Sequence, residues 1–536
     1  MNWNILTKSL WAVVCLLAPL SLAAQIERLP SPAVDILSYR FHVALSDSTD
    51  EIFGKTDLYV RFPQAGVGSL GLDLVGPRGN RGMTVNRVQI GETAVEFVQR
   101  GDRLNVQVGK TTIAGDTLMV SVEYQGIPND GLIISQNKYG DRTFFGDNWP
   151  NRAHHWLPTV DHPADKAFCE FVVTAPDHYQ VVCTGELVEE TDLENGTRLT
   201  HWRSTVPLPT KVMVFGAARF AVQYVGEVEG VPLSSWVYPQ NRQAGFYDYA
   251  IAARVMEFMD SYIAPYPYAK LANVQSTTRY GGMENASNIF YSETSITGDR
   301  SAEGLIAHEI AHQWFGNSAS EASWYHIWLS EGFATYFTEL YMEATYGEVA
   351  LLKGMQANRA QVLASAASKK PIIDPTITDL NQLLSTNAYQ KGAWVLHMLR
   401  NKIGEEAFEL GIRKYYQQYQ FRNAMSSDLE RIMEEVSGQE LSSFFQQWLY
   451  QPGFPKLKLI WNYDTKTKEL MVEAEQMQEN ALFQFPLEVA WRQPNGNWET
   501  ATFEINERKQ LMKIAVDDPP ANLQVDPRVQ LLFEEM

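Results

Sequence analysis

The chain has 536 residues, 45% of them hydrophobic and 20% charged, with a formal net charge of −19. That length suits three or four domains, and the apolar share is ordinary for globular protein. The acidic balance argues against a nucleic-acid partner, which needs a basic face, and leaves no polybasic patch for a membrane surface.

In chain order, the first segment is not expected to belong to the fold. Lys8 precedes an apolar run from Leu10 to Leu20, and Ser21-Leu22-Ala23-Ala24 offers small residues for cleavage. Residues 1–24 read as a secretory signal peptide, with an uncleaved anchor as the alternative; the run is short for a span and contains Pro19. The protein is therefore expected to be exported, periplasmic or secreted, with no membrane span in the mature chain.

Residues 25–235 read as an N-terminal β domain. Polar and apolar residues alternate over 39–45, 57–62 and 118–124, and Gly and Pro clusters separate the runs. Cys169 and Cys183 flank Ala175-Pro176-Asp177-His178, which has the composition of a hairpin tip. Pairing about that tip would place the two cysteines opposite each other, within disulfide reach. A bridge and two buried thiols both remain open.

Near Gly245 the period changes. Phe246, Ala250, Ala253, Val255, Phe258 and Tyr262 recur at helical spacing, and residues 236–452 are expected to form a mostly helical domain. Pro452, Gly453 and Pro455 end it. Alternation returns over 456–461, and Pro494-Asn495-Gly496 reads as a hairpin turn. Residues 453–536 thus make a small β-sandwich-like C-terminal domain, and the fold class is multidomain α+β.

The chemistry is concentrated in the helical part. In Ala307-His308-Glu309-Ile310-Ala311-His312 two histidines stand four residues apart around a glutamate, and Glu331 follows. On a helix, positions i and i+4 share a face, so His308 and His312 can reach one ion, with Glu331 as third ligand from the next helix. Three protein ligands leave one coordination position open, as in catalytic zinc sites. Glu309, one position along, is placed to act as the base. Upstream, Tyr280-Gly281-Gly282-Met283-Glu284-Asn285 joins two glycines, which allow close backbone approach, to a carboxylate that could bind an ammonium. Taken alone it reads first as a tight turn with a surface glutamate. Downstream, Tyr389 in Asn387-Ala388-Tyr389-Gln390-Lys391-Gly392 is either a packing residue or a donor to an oxyanion.

The order and spacing of these three motifs resemble the gluzincin aminopeptidases, the family of aminopeptidase N and leukotriene hydrolase. The likeness extends to residues 157–163 and 448–453. It implies a thermolysin-like catalytic domain at 236–452 and one zinc ion per chain, held by His308, His312 and Glu331. It also implies that Glu309 activates water and that Tyr389 stabilises the oxyanion. Glu284 would bind the substrate's α-ammonium, Gly281, Gly282 and Met283 would lie along the peptide, and Asn285 would shape the first pocket. The implied partners are peptides with a free N-terminus, and the protein is expected to be a monomer or weak oligomer. Three features depart from the family. The second amine-binding residue is missing from the β domain, where Asp147 is the best substitute. Thr338 stands where many relatives carry a supporting carboxylate. The large helical domain of longer relatives does not follow the small β domain in this sequence. The rival readings are a thermolysin-like endopeptidase, an epoxide hydrolase on the same scaffold, and a non-catalytic peptide-binding homologue.

Overall fold

The computed structural model describes residues 27–109, 111–479 and 481–536; the expected signal peptide lies outside the described residues. Asp35–Ala44 and Ile52–Arg61 pair antiparallel, with burial alternating along each as a period of two requires. They lie at the centre of a nine-stranded sheet that includes Thr117–Ile127, Gly82–Ile90, Lys166–Pro176 and Thr197–Arg203. A four-stranded sheet of Gln180–Cys183, Phe215–Ala218, Arg142–Gly146 and Leu132–Gln136 packs on its inner face. There Phe171 of the large sheet meets Phe41 at 5.1 Å and Phe215 of the small sheet at 5.9 Å between ring centres.

The expected hairpin joining Cys169 and Cys183 does not form. Lys166–Pro176 pairs with Asp35–Ala44 and Thr197–Arg203, whereas Gln180–Cys183 pairs with Phe215–Ala218. The turn between them crosses from one sheet to the other, so the two strands are never neighbours. Both cysteines are free and buried, and burial raises the pKa of each thiol.

The next unit is less helical than its periodicity suggests. Ala221–Val228, Val231–Val237, Leu271–Ser276, Asn288–Ser292 and Gly282–Met283 form a five-stranded sheet in that order. Leu233–Trp236 pairs in parallel with Leu271–Val274, so the sheet is continuous across the expected division at 235/236. The short Gly282–Met283 strand forms one edge of it. The helices Arg242–Tyr249 and Ala252–Tyr262 follow the predicted helical stretch, and Glu303–Ala311, Trp328–Tyr346, Glu348–Ala364 and Gly392–Ile403 build the rest of the site's scaffold. The C-terminal unit is two small sheets; its Phe485–Arg492 and Trp498–Ile505 strands are joined by the predicted turn, with Gly496 at φ 92°.

Both β units are bonded firmly to the helical one. Lys211 Nζ lies 2.6 Å from the Glu321 carboxylate, both buried, and Lys166 Nζ donates to the Ser318 carbonyl at 2.6 Å. On the other side Arg359 pairs with Asp526 at 2.5 Å and His397 Nε2 lies 2.9 Å from the Val529 carbonyl. Such buried ion pairs are costly to break singly, because the survivor is left uncompensated. No helix among the described residues is long and apolar enough to cross a membrane.

Candidate active site

His308 lies within the Glu303–Ala311 helix and His312 caps its C-terminus, so the i, i+4 spacing is realised as one face. Glu303 opens this helix with a negative charge at its N-terminus, where the backbone dipole favours one. The same carboxylate accepts hydrogen bonds from Tyr341 Oη at 2.5 Å and Tyr346 Oη at 2.7 Å, both on the Trp328–Tyr346 helix that carries Glu331. Charge at a helix start thus fixes the two ligand-bearing helices against each other.

The ligand atoms converge. His308 Nε2 and His312 Nε2 are 3.1 Å apart, and Glu331 Oε2 lies 3.4 Å and 3.2 Å from them. Tetrahedral zinc with bonds of about 2.0–2.1 Å separates its ligands by roughly 3.3 Å, so the cluster has the size of that coordination shell. Protonation points the same way. His312 Nδ1 is 3.1 Å from the Phe315 carbonyl oxygen, which can only accept, so Nδ1 carries a proton and Nε2 is the ring atom left to face an ion. Glu331 Oε2 is buried without a hydrogen-bond partner. Two imidazole nitrogens and a carboxylate oxygen converging in this way fit a cation.

Tyr389 lies in a π-helical turn, Asn387–Lys391, that leads into the Gly392–Ile403 helix. π-turns of this kind recur at functional sites because they redirect one side chain. Its ring stacks on His308 at 5.8 Å and 10°. The approach depends on two glycines. A Cβ on Gly332, next to Glu331, would lie 3.0 Å from the Gly392 backbone, so a larger residue would push the Tyr389 turn away from the metal ligands.

Glu284 is buried, and one of its carboxylate oxygens has no partner. It follows the edge strand Gly282–Met283, whose neighbour on one side is Asn288–Ser292. The other side is the kind of edge to which an extended peptide can add. A Cβ on Gly282 would collide with the Glu309 carboxylate, which explains the glycine. Two residues absent from the sequence-based expectations hold this segment. Gln313 Nε2 and Asn317 Nδ2 each donate to the Glu284 carbonyl at 2.7 Å, while Gln313 Oε1 accepts from the Ser287 N–H at 2.8 Å. The end of the histidine helix thus clamps the strand that carries Glu284. Asn285 is fully buried with both amide atoms unpartnered, and it is not in the wall of the cavity above the metal ligands.

That cavity is lined by the metal ligands, Glu309, Glu284, Gly282 and Tyr389, and is closed by Trp149, Tyr280, Met283 and Leu384. Asp147, the expected second amine anchor, is not in the wall. Its carboxylate is bonded to Arg152 and to Thr278 Oγ1, and burial raises its pKa against the pull of Arg152 and Arg279. The residue that does face the cavity from this loop is Trp149, which no sequence pattern singled out. The Thr338 hydroxyl donates to the Ala334 carbonyl of its own helix at 2.8 Å.

The site's electrostatics ask for positive charge. Burial opposes a charged His312, yet Glu331 outweighs it and lifts the pKa to about 9. Burial also opposes ionisation of Glu331, but His312 and His308 hold its pKa down. Burial raises Glu309 well above the carboxylate range; His312 opposes this, while Glu284 and Glu331 add to it. Tyr389 is raised by burial and then by the same carboxylates. A dication among these groups reverses the balance, favouring ionised Glu309.

Two protein-family models match the chain, the Peptidase M1 N-terminal domain over residues 78–212 and the Peptidase family M1 domain over residues 247–448. Together they span more than half of it. A leucyl aminopeptidase of Saccharolobus solfataricus is 27% identical over 434 residues, 76% of this chain and 53% of the relative. The human glutamyl aminopeptidase is 28% identical over 375 residues, 65% of this chain and 39% of the relative. The chain thus spans about half the length, or less, of the curated relatives it matches. Among solved structures, Legionella pneumophila aminopeptidase A in complex with aspartic acid superposes with a TM-score of 0.82 at 16% identity, over 95% of this chain and 60% of that one. An M1 zinc metallopeptidase from Deinococcus radiodurans gives 0.69 at 23%, over 80% and 96%. The fold, the converging ligand set and both domain matches agree: this chain belongs to peptidase family M1.

Proposed function

We propose that the protein is a zinc-dependent aminopeptidase that removes the N-terminal residue from peptides. The observation that carries this reading is the unpartnered Glu284 carboxylate oxygen, buried in the wall of the cavity that holds the metal ligands and beside an edge strand. An anchor for a free α-ammonium so near the metal limits cleavage to the first peptide bond. A thermolysin-like endopeptidase has no use for it. The curated relatives named leucyl and glutamyl aminopeptidase support the same class.

His308, His312 and Glu331 would hold one zinc ion per chain. Zinc in such a site polarises the scissile carbonyl and acidifies a water. The peptide lies against the Gly282–Met283 edge with its ammonium on Glu284. Glu309 takes the proton from the attacking water as the new C–O bond forms. Tyr389 donates to the oxyanion. Glu309 then returns the proton to the nitrogen as the C–N bond breaks, releasing the first amino acid and a shortened peptide. Export of the mature chain belongs to the same reading and rests on Lys8, the apolar run to Leu20 and the small residues before Gln25.

The test is Glu284→Gln. The variant should bind zinc normally and lose about 10²–10³-fold in kcat/KM on free-amine substrates, the scale of a buried charge-assisted contact. Unchanged cleavage of free-amine substrates would remove the anchor and with it the exopeptidase reading.

A further inference from the structure

Several relatives are named glutamyl aminopeptidase, and one similar structure holds aspartic acid. The cavity above the metal ligands has its own lining. Its walls beyond the catalytic groups are Trp149, Tyr280, Met283 and Leu384, four side chains without charge. The ionisable groups that share the cavity are the three carboxylates Glu284, Glu309 and Glu331 with the ligand histidines and Tyr389. No lysine or arginine is among the lining residues.

Three cations near the walls are already committed. The Arg152 guanidinium lies 5.8 Å from the centre of the Tyr280 ring and is bonded to Asp147. Arg279 is paired with Asp130 at 2.5 Å. Lys211, 5.8 Å from the Trp324 ring on which Trp149 packs, is paired with Glu321. An acidic side chain entering the cavity would meet three carboxylates and, among the described residues that line it, no lysine or arginine to pair with, and burying an uncompensated charge is costly. A large apolar side chain would instead be removed from water against an indole and two aliphatic chains. The indole is held firmly. Trp149 is 2% exposed and packs edge-on against Trp324 at 6.1 Å, and the Trp324 backbone N–H donates to the Glu27 carboxylate at 2.6 Å.

We infer that the first-residue pocket selects large neutral side chains, aliphatic or aromatic, and rejects aspartate and glutamate, with Trp149 and Leu384 as the residues that set this preference. The inference rests on the aminopeptidase reading and names its substrate class. Zinc-loaded protein is assayed on leucyl, phenylalanyl, alanyl, glutamyl and aspartyl anilides, beside N-acetyl-leucyl anilide. Leucyl or phenylalanyl anilide should exceed the acidic pair by at least about 100-fold in kcat/KM, and alanyl by about tenfold, the scale of a few methylenes in an apolar pocket. Acidic substrates within tenfold of leucyl would overturn the inference while leaving the aminopeptidase intact. Equal cleavage of the acetylated substrate would instead defeat the aminopeptidase reading. The pocket is then judged by calorimetric binding of free phenylalanine against free glutamate, and tighter glutamate overturns the inference. Trp149→Ala should cut the leucyl-to-alanyl ratio at least fivefold at full zinc content. Should that variant not fold, Leu384→Lys, on a half-buried loop, should raise the glutamyl-to-leucyl ratio by at least tenfold; an unmoved ratio removes the assignment of these walls.

Discussion

Replacing Gln313 with methionine tests whether the histidine helix positions the amine anchor. The side chain is fully buried and matched in shape by methionine, so the change removes hydrogen bonds more than volume. The Glu284 carbonyl keeps its bond from Asn317, but the Ser287 N–H loses its acceptor at 2.8 Å. A buried donor left unsatisfied costs about 1–3 kcal/mol. Part of that cost is relieved if the 284–287 segment shifts, and a shift displaces the Glu284 carboxylate. A charge-assisted bond to the substrate ammonium is worth about 1.5–3 kcal/mol, so losing half of it lowers kcat/KM roughly four- to twelvefold. The assay compares leucyl anilide with its des-amino analogue, 4-methylpentanoyl anilide, at matched zinc content. The positioning role predicts that the free-amine substrate alone suffers. Equal losses on both substrates would mean that Gln313 only stabilises the fold, and no loss on either would mean that Asn317 suffices.

Glu309→Gln should retain zinc and lose on the order of 10²–10⁴-fold in kcat, as expected for a general base; near-normal turnover would remove that role. Tyr389→Phe should lower kcat by about 10²–10³ with little change in KM, and an effect confined to KM would make it a packing residue. A third prediction concerns stability. Burial and then Asp35 push the Asp165 pKa up to about 8, whereas an unfolded chain titrates it near 3.9. Between those values the folded state keeps a proton that the unfolded chain releases. Stability attributable to this group therefore falls as pH rises through that window, by about 1.4 kcal/mol per pH unit. Asp165→Asn should consequently gain on the wild type in denaturant midpoint at pH 7.5 and much less at pH 4.5. An equal gain at both values would show that the group is not protonated in the fold.

Much of the site could be read from the sequence because the helix fixes its geometry locally. His308, Glu309 and His312 are set by a spacing of four, and the 3.1 Å between the imidazole nitrogens follows from it. Tyr389 and Glu284 were ambiguous as isolated residues and gained roles through the resemblance, because each reaches the cavity by packing: Tyr389 through the Gly332–Gly392 approach, Glu284 through its edge strand. Asp147 and Trp149 show where local reasoning ends. They are two residues apart, and which one faces the cavity depends on Arg152, Thr278 and Trp324, the last two more than a hundred residues away. The Cys169 hairpin failed for a related reason, since a turn's composition does not say which sheet the next strand joins. Gln313 and Asn317 left no sequence signal because their partner, the Glu284 carbonyl, is backbone and about thirty residues upstream.

The central claim is that a single metal centre and a buried carboxylate make this an enzyme for free N-termini. Its most direct test is the release of the first residue from a short peptide and from its N-acetylated twin, each with and without a zinc chelator. The account predicts cleavage of the free peptide alone, abolished by chelator and restored by one equivalent of zinc per chain. Cleavage of the acetylated peptide at a comparable rate would contradict it.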